Sequence, residues 1–257
     1  MAQMDAVAWL VTAIAILLTG ISKSGLGSAL GGVAVPFLAL WIAPRDAVAV
    51  VAPVLIAMDV AAMRAWRGQA VVADLRRLLP AALVGIVLGT LAFGVLSELM
   101  VKAALGLLAV VFALDRLWRF FHTRGASVDP ASRSVSRLVA WVCGIGSGLT
   151  STLAHAGGPP LLMYLLARRL PRREMVATSV FFFSVINIAK LPFYIGLGLF
   201  TRETLLMSLL LLPLVPVGTW LGVRMLAWMP ERLFVLTAAS LLGLSGVKLL
   251  WDALVGG

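Results

Sequence analysis

Cysteine and histidine are scarce in this chain, and their scarcity limits the chemistry that it can perform. The 257 residues include one cysteine, Cys143, and two histidines, His122 and His155. A single cysteine excludes an internal disulfide, and so few thiol and imidazole groups argue against a structural metal site. The phosphate-binding loop G-x-x-x-x-G-K-S/T is also absent from the sequence. We therefore expect neither a cofactor nor nucleotide hydrolysis.

Charged residues are also few, and their placement indicates a membrane protein. They make up 12% of the chain, against 61% hydrophobic residues, and the mean hydropathy is +1.05. Apolar runs of about 15 to 22 residues recur along the sequence, as in α-helical integral membrane proteins. The formal net charge of +10 comes from Lys and Arg residues that cluster between these runs. That placement indicates positive-inside loops and no nucleic-acid partner.

Ten apolar segments follow one another along the chain. The first begins without a basic stretch and is interpreted as a membrane helix, not as a removable signal. A polar stretch at residues 122–136, interpreted as a cytoplasmic linker, separates two membrane halves at residues 1–121 and 137–257. We predict an all-α, polytopic membrane protein of about eight to ten segments, which lie near residues 6–22, 29–43, 46–63, 77–96, 99–115, 137–152, 156–167, 174–196, 204–223 and 231–250.

The two halves resemble each other in the order of their residues. Residues 44–49 have a counterpart at 171–177, and Asp59 has a counterpart at Asn187. The offset between such matches is nearly constant, which predicts an internal repeat of about 120 residues.

The distribution of charge distinguishes parallel from inverted repeats. If each glycine-rich break is a hairpin that returns to its own side, the Lys and Arg residues collect on one side of the membrane. The loops on the other side hold only Arg45, Lys102, Arg202 and Lys248. If each broken pair is instead a single crossing, the cations divide far more evenly. The positive-inside rule therefore favours ten segments, two inverted repeats and both termini outside.

A glycine-rich break interrupts an apolar run in each half. Residues 20–36 read GISKSGLGSALGGVAVP, and residues 144–160 read GIGSGLTSTLAHAGGPP. The first two segments are about 22 to 25 Å long at 1.5 Å per residue, shorter than a hydrocarbon core of about 30 Å. Each break is therefore predicted to be the tip of a re-entrant-like hairpin, and the two tips are expected to meet near the membrane midplane.

These two tips are a candidate binding site for a small anion. A helix that begins inside a membrane has amides without intrahelical partners and a positive dipole end, and both attract an anion. Glycines let the backbone come close, and Ser and Thr add hydroxyl donors, although glycines can also serve helix packing alone. The candidate substrate-binding residues are Ser22, Lys23, Ser24, Gly25, Ser28, Gly31, Gly32, Ser147, Thr150, Ser151, Thr152, His155, Gly157, Gly158 and Asn187.

Ionisable residues within the apolar segments are candidates for coupling transport to protons. Asp59, His155 and Lys190 form this group. An intramembrane carboxylate indicates function by default, whereas pairing of Asp59 with Lys23 or an arginine could be purely structural. Lys23 could instead reach cytoplasmic water, and Lys190 could snorkel to the outer surface.

The two breaks and the motifs after them resemble the TauE/SafE family of sulfite exporters and organosulfonate permeases. Residues 20–36 have the form G-x-x-x-x-G-x-G-x-x-x-G-G-x-x-x-P and precede PRDAVA at 44–49. Residues 144–160 and 171–178 carry the resemblance in the second half. It covers essentially the whole chain. It implies a transporter, not an enzyme, that moves sulfite, sulfonates or sulfoacetate across the bacterial cytoplasmic (inner) membrane.

We therefore expect a secondary transporter that exports such anions by alternating access. The alternatives are uptake coupled to H⁺ or Na⁺ and a membrane scaffold subunit without transport activity. The expected partners are the small anion, the lipid bilayer and, for uptake, the coupling ion. The sequence neither predicts nor excludes a homodimer.

Overall fold

Helices make up the regular structure of this protein. A computed structural model describes residues 6–25, 34–122, 135–225 and 231–255, and no strand occurs in these ranges. The all-α prediction is confirmed, and a helix lies in each of the ten expected segments. The helices are α1 (Ala6–Gly25), α2 (Ala34–Leu38), α3 (Pro44–Ala65), α4 (Val72–Val95), α5 (Glu98–His122), α6 (Arg137–Ala154), α7 (Gly158–Ala167), α8 (Arg172–Gly196), α9 (Arg202–Leu211), α10 (Leu214–Met225) and α11 (Glu231–Val255).

Several of these helices can cross a membrane. Among the described residues, four have the length and apolar character for a crossing: Ala6–Ser24, Pro44–Ala65, Val72–Val95 and Arg173–Gly196. The pair α9 and α10 passes the same test together, although its two parts are bent by 46°. Length and composition thus give four candidate spans, or five with the bent pair.

Two segments differ from their predicted form. Residues 204–223 form two helices, because Pro213 lies between α9 and α10. Proline has no N–H to donate, and its ring clashes with the carbonyl four residues earlier, so it can bend or interrupt a helix, as it does here. The return arm of the first break ends earlier than expected, since α2 (Ala34–Leu38) stops at Leu38 and not near residue 43; residues 29–33 of this arm lie outside the described residues.

Polar side chains lie inside the helix bundle, and large apolar side chains lie outside it. Lys23, Asp59, Asn187 and Lys190 are each at most 5% exposed. In contrast, α4, α5, α9 and α11 expose leucines and valines; Leu210, for example, is 66% exposed. A soluble monomer rarely presents so much apolar surface to water. A lipid bilayer stabilises this arrangement, because its hydrocarbon core favours apolar surface and excludes polar groups.

Four helix pairs build the bundle: α4 with α6, α5 with α11, α1 with α10, and α3 with α8. In the first three pairs, glycines bring the two backbones together, because a residue without a Cβ allows close approach. These contacts involve Gly85, Gly89, Gly144 and Gly148 between α4 and α6, Gly106 and Gly246 between α5 and α11, and Gly20, Gly218 and Gly222 between α1 and α10. Helix packing is therefore the role of these glycines.

The contacts follow the same order in both halves. Helices α1 and α6 each precede a break, and α4 and the bent pair α9–α10 occupy equivalent places in their halves. The contact of α4 with α6 therefore corresponds to that of α10 with α1. Two further pairs, α3 with α8 and α5 with α11, join equivalent helices. A two-fold relation between the halves would produce this pairing.

Replacing Gly148 by alanine should destabilise the α4–α6 pair. A Cβ at this position would collide with the backbone carbonyl of Ala82, which cannot turn away. We expect a loss of about 1 to 3 kcal/mol, the usual cost of overpacking. The measurement is the melting temperature of the detergent-solubilised protein.

Gly94→Ala is the matched control for this variant. Gly94 also lies in α4, but the nearest atom to its added Cβ is Leu197 Cδ2 at 3.6 Å, an ordinary contact. Since alanine favours a helix over glycine by about 1 kcal/mol, Gly94→Ala should keep or raise the melting temperature. Equal melting temperatures for the two variants would contradict the close approach of α4 and α6.

Candidate functional site

The second break lies between α6 and α7, and backbone hydrogen bonds close the end of α6. Helix α6 ends at Ala154, and His155 follows in the left-handed conformation with a φ of 51°. The N–H of His155 donates to the carbonyl of Ser151 at 3.0 Å, and the N–H of Ala156 donates to that of Thr150 at 3.2 Å. These bonds satisfy carbonyls that a helix end leaves unpaired. The chain can therefore turn within three residues into α7.

The start of α7 is fixed against α6. The Ser147 hydroxyl donates to the carbonyl of Gly157 at 2.7 Å. A Cβ on Gly157 would lie 2.6 Å from the Ser147 carbonyl oxygen, so only glycine fits there. Pro159 and Pro160 follow Gly158 and have no N–H. The amides that this tip can offer a ligand are therefore those of Gly157 and Gly158.

The side chain of Lys190, on the neighbouring helix α8, contacts this break. Its Nζ lies 3.0 Å from both the carbonyl oxygen and the Oγ of Ser151, and 2.9 Å from Nδ1 of His155. Ser151 and His155 are four residues apart and so lie on one side of the helix end. Lys190 is 1% exposed. The snorkelling interpretation is therefore wrong, because the amino group finds its hydrogen-bond partners at the open end of α6.

His155 connects Lys190 to α3. Its Nε2 lies 3.1 Å from the carbonyl oxygen of Val48. Because a carbonyl oxygen can only accept, Nε2 carries the hydrogen, and Nδ1 is left to accept a hydrogen bond from Lys190. This pattern assigns a neutral imidazole. Tyr194 packs edge-on against the ring, with 6.0 Å between centroids, and its hydroxyl donates to the carbonyl of Thr152 at 2.7 Å.

A buried ion pair joins α1 to α3 in the same region. Lys23 Nζ lies 2.6 Å from Asp59 Oδ1, and the two side chains are 6% and 3% exposed. The Asn187 amide of α8 donates to Asp59 Oδ2 at 2.7 Å, and Lys23 also donates to the carbonyl of Leu55 at 3.2 Å. Lys23 thus does not reach water, and of the two partners considered for Asp59, Lys23 or an arginine, the structure shows Lys23. Asp59 and Asn187, which occupy equivalent places in the two halves, contact each other.

The two groups are neighbours in the interior. Asn187, which binds Asp59, and Lys190 lie three residues apart on one face of α8. Asp59 pairs with Lys23, whereas the three atoms that contact Lys190 Nζ are neutral, and no described carboxylate pairs with it. In such a place an ammonium without a counter-ion is destabilised by several kcal/mol relative to the neutral amine. The undescribed residues of the first break, LGSALGGV at 26–33, add no charged side chain.

The structure brings together some predicted site residues and separates others. Lys23, Asp59, Ser151, His155, Asn187 and Lys190 form an interior cluster. Ser22 is buried in α1, Gly25 ends that helix, and Gly158 begins α7. The hydroxyls of Ser24, Thr150 and Thr152 donate to carbonyls four residues earlier in their own helices, which leaves them less suited to an anion. Ser28, Gly31 and Gly32 lie outside the described residues.

The sequence analysis did not predict that side chains from three other parts of the chain donate hydrogen bonds to backbone carbonyls of α3. Carbonyls on either side of Pro53 accept these hydrogen bonds: that of Val48 from His155, that of Val50 from Ser208 at 2.8 Å, and that of Leu55 from Lys23. Pro53 lies inside α3 and interrupts its ladder of backbone hydrogen bonds. The carbonyl that this leaves without an intrahelical partner is that of Ala49, four residues earlier, so the proline did not signal the three acceptors. Tyr194 did have a signal, since it follows Lys190 by four residues on α8.

A further buried carboxylate, Asp74, also escaped the sequence interpretation. Arg168 Nε lies 3.0 and 3.1 Å from its two oxygens, and the Tyr164 hydroxyl donates to it at 2.7 Å. These contacts fix the end of α7 to the first turn of α4. The sequence interpretation began this segment at residue 77, whereas α4 begins at Val72 with a charged first turn.

The elements that carry the cluster fall within the range of a known family. The family model described as Sulfite exporter TauE/SafE matches residues 12–249. The chain belongs to the TauE/SafE family. No curated protein and no solved structure matches it. Membership covers nearly the whole chain and, together with the apolar helices, identifies a multi-pass membrane protein of the sulfite-exporter type. Members of this family are transporters, not enzymes, and the resemblance drawn from the two breaks is confirmed.

Removing one partner of the Lys23–Asp59 pair should destabilise the protein more than removing both. Lys23→Met leaves a buried carboxylate and Asp59→Asn leaves a buried ammonium, and each change should cost about 3 to 5 kcal/mol. The double variant Lys23→Met/Asp59→Asn leaves neither charge and should recover most of that stability. Unfolding of the four proteins in detergent micelles measures the coupling. Losses that simply add in the double variant would show that the pair does not interact.

Proposed function

We propose that this protein is a secondary transporter that exports small sulfur-containing anions, such as sulfite, sulfonates or sulfoacetate, by alternating access. Lys190 carries the proposal, because its buried amino group faces a helix break and has only neutral partners among the described residues. An anion bound beside it would stabilise the charged form of this amino group. Membership of the TauE/SafE family supports the sulfur-anion class.

In this proposal, the anion binds at the start of α7, beside Lys190. Its oxygens accept hydrogen bonds from Lys190 and from the amides of Gly157 and Gly158. A small oxyanion suits such a site, because several oxygens can accept at once from an ammonium and from backbone amides. Lys23, which belongs to the first break, lies in the same cluster because it pairs with Asp59. The residues that complete the first tip in this proposal are Ser28, Gly31 and Gly32.

The proposal includes two inverted repeats whose tips meet near the midplane, and alternating access in which one repeat rocks against the other. Two observations support it. The contacts of α4 with α6 and of α10 with α1 correspond, and Asp59 touches its counterpart Asn187, as residues near a two-fold axis do. Lys190 and His155 belong to the second half, and Lys23 and Asp59 to the first. Rocking would therefore change the distances within the interior cluster.

Export of an anion needs no nucleotide in this scheme. A negative-inside potential drives it outward by about 2.3 kcal/mol per charge per 100 mV. The bacterial cytoplasmic membrane, where we propose that the protein resides, maintains such a potential. A scaffold subunit would have no use for a buried amino group with only neutral partners among the described residues, and this observation favours a transporter over a scaffold.

Uptake coupled to H⁺ is the second candidate, because His155 contacts Lys190 directly. If the imidazole took up a proton, Nδ1 could no longer accept from Lys190, so protonation would change this contact. Flux into vesicles at zero potential distinguishes the two candidates. Coupled uptake responds to an imposed proton gradient under these conditions, whereas potential-driven export does not.

Reconstituted protein should move sulfite or a sulfonate across liposome membranes in response to an imposed potential. Radiolabelled efflux should accelerate when the interior is negative, and Lys190→Met should reduce this flux at least tenfold, the equivalent of about 1.4 kcal/mol. Lys248→Met is the matched control, because Lys248 is an exposed lysine that pairs with Asp252 at the surface. The proposed function would be disproved if the protein transported none of the sulfur oxyanions tested and if the imposed potential had no effect on flux.

A further inference from the structure

Ser147 of α6 uses its hydroxyl on the backbone of the second break. The side chain is fully buried, and its Oγ lies 2.7 Å from the carbonyl oxygen of Gly157. A carbonyl oxygen can only accept, so the single hydrogen of this hydroxyl points at Gly157. Ser147 therefore has no hydrogen left for an anion, although the sequence analysis placed it among the substrate-binding residues.

That hydrogen bond also sets the direction of an amide. The peptide bond between Gly157 and Gly158 is planar and trans, so the N–H of Gly158 points opposite to the carbonyl of Gly157. Because Ser147 holds this carbonyl towards α6, the N–H points away from α6 at the start of α7. The only other described donor to the carbonyl is the N–H of Leu161, at 3.5 Å. The Ser147 hydroxyl therefore fixes the peptide more closely than the helix itself does.

The amides at this turn are available to a ligand and lie near Lys190. Gly157 and Gly158 are buried, and neither N–H has a hydrogen-bond partner among the described residues. A buried N–H without a partner is rare in native proteins. Ser151 contacts both groups, since its Cβ lies 3.0 Å from the position of a Cβ on Gly157 and its Oγ lies 3.0 Å from Lys190 Nζ. The glycine turn and the lysine therefore meet at one residue of α6.

We infer that Ser147 is a positioning residue of the anion site, which aims the Gly158 N–H at the anion and does not touch the anion itself. The inference rests on the proposed function, which places the anion at the start of α7 beside Lys190. A donor that is already oriented stabilises an anion more than one that must be ordered on binding. The role of Ser147 is the same whether the Lys190 amino group is charged or neutral, because an N–H of either form can donate.

Binding of methanesulfonate to purified protein in nanodiscs tests this role. Ser147→Ala leaves only the longer Leu161 contact on the Gly157 carbonyl and should raise the dissociation constant about tenfold or more, the equivalent of about 1.4 kcal/mol. Ser184→Ala is the matched control, because the buried Ser184 hydroxyl donates to the carbonyl of Val180 within α8, at 2.8 Å. Both variants lose one buried hydrogen bond and should lose similar thermal stability, but the control should keep the affinity of the wild type.

A second measurement observes the amide itself, by nuclear magnetic resonance of the wild type. Glycine labelled with ¹³C at the carbonyl and ¹⁵N at the amide gives a directly coupled signal only for Gly–Gly peptides, and the sequence contains three of them, at 31–32, 157–158 and 256–257. The signal that Gly158→Ala removes belongs to the Gly158 N–H. Saturating methanesulfonate should move the proton of this signal downfield, because a hydrogen bond to an anion deshields it, and Ser147→Ala should reduce that movement.

The two measurements distinguish failure of the inference from failure of the proposed function. Equal affinity of Ser147→Ala and Ser184→Ala, or a Gly158 signal that bound methanesulfonate does not shift, would overturn the inference and leave the proposed function standing. The wild-type signal keeps the inference testable if Ser147→Ala does not fold. A wild type that bound neither methanesulfonate nor sulfite would overturn the proposed function and the inference with it.

Discussion

The contact between the Lys190 amino group and the open end of α6 is the interaction on which the site depends. A helix that ends inside a membrane exposes backbone carbonyls that lipid cannot satisfy. Here Ser151 and His155 turn their acceptors towards Lys190, and Ser147 ties the next segment back by its bond to Gly157. The same contact places an ionisable amine where the chain unwinds. The proposed anion site therefore lies where α6 ends and α7 begins.

This amine lies where the two halves of the protein meet. Helix α3 of the first half carries Asp59 and the carbonyls that receive Lys23 and His155. Helix α8 of the second half carries Asn187 and Lys190, three residues apart and so on one face. Because the contacts of the cluster cross from one half to the other, any motion between the halves must break or exchange some of them. A ligand that replaces a lost contact would bias that motion.

Much of the architecture could be predicted from local patterns. Long apolar runs marked the helices, because a bilayer requires continuous apolar stretches, and the glycine-rich break at residues 144–160 marked the end of α6. Pairing of Asp59 with Lys23 could also be expected, because an isolated charge is costly in a membrane. The depth of Lys190 was misjudged for a physical reason. Helical rise gives the height of a residue, whereas the direction of its side chain depends on which helix packs beside it. Tyr194, Ser208 and Asp74 escaped notice because their partners are distant in sequence.

The sequence by itself determined that this is a helical membrane protein and where the second break falls. These features depend on composition and on spacing along the chain, which act locally. Only the tertiary structure decided that Lys190 faces Ser151 and His155, that Pro53 lies among carbonyls that accept side chains, and that Lys190 has no described carboxylate as a partner. Those facts depend on which helix faces pack together. That packing is set by glycine contacts between residues as far apart in sequence as Gly20 and Gly218.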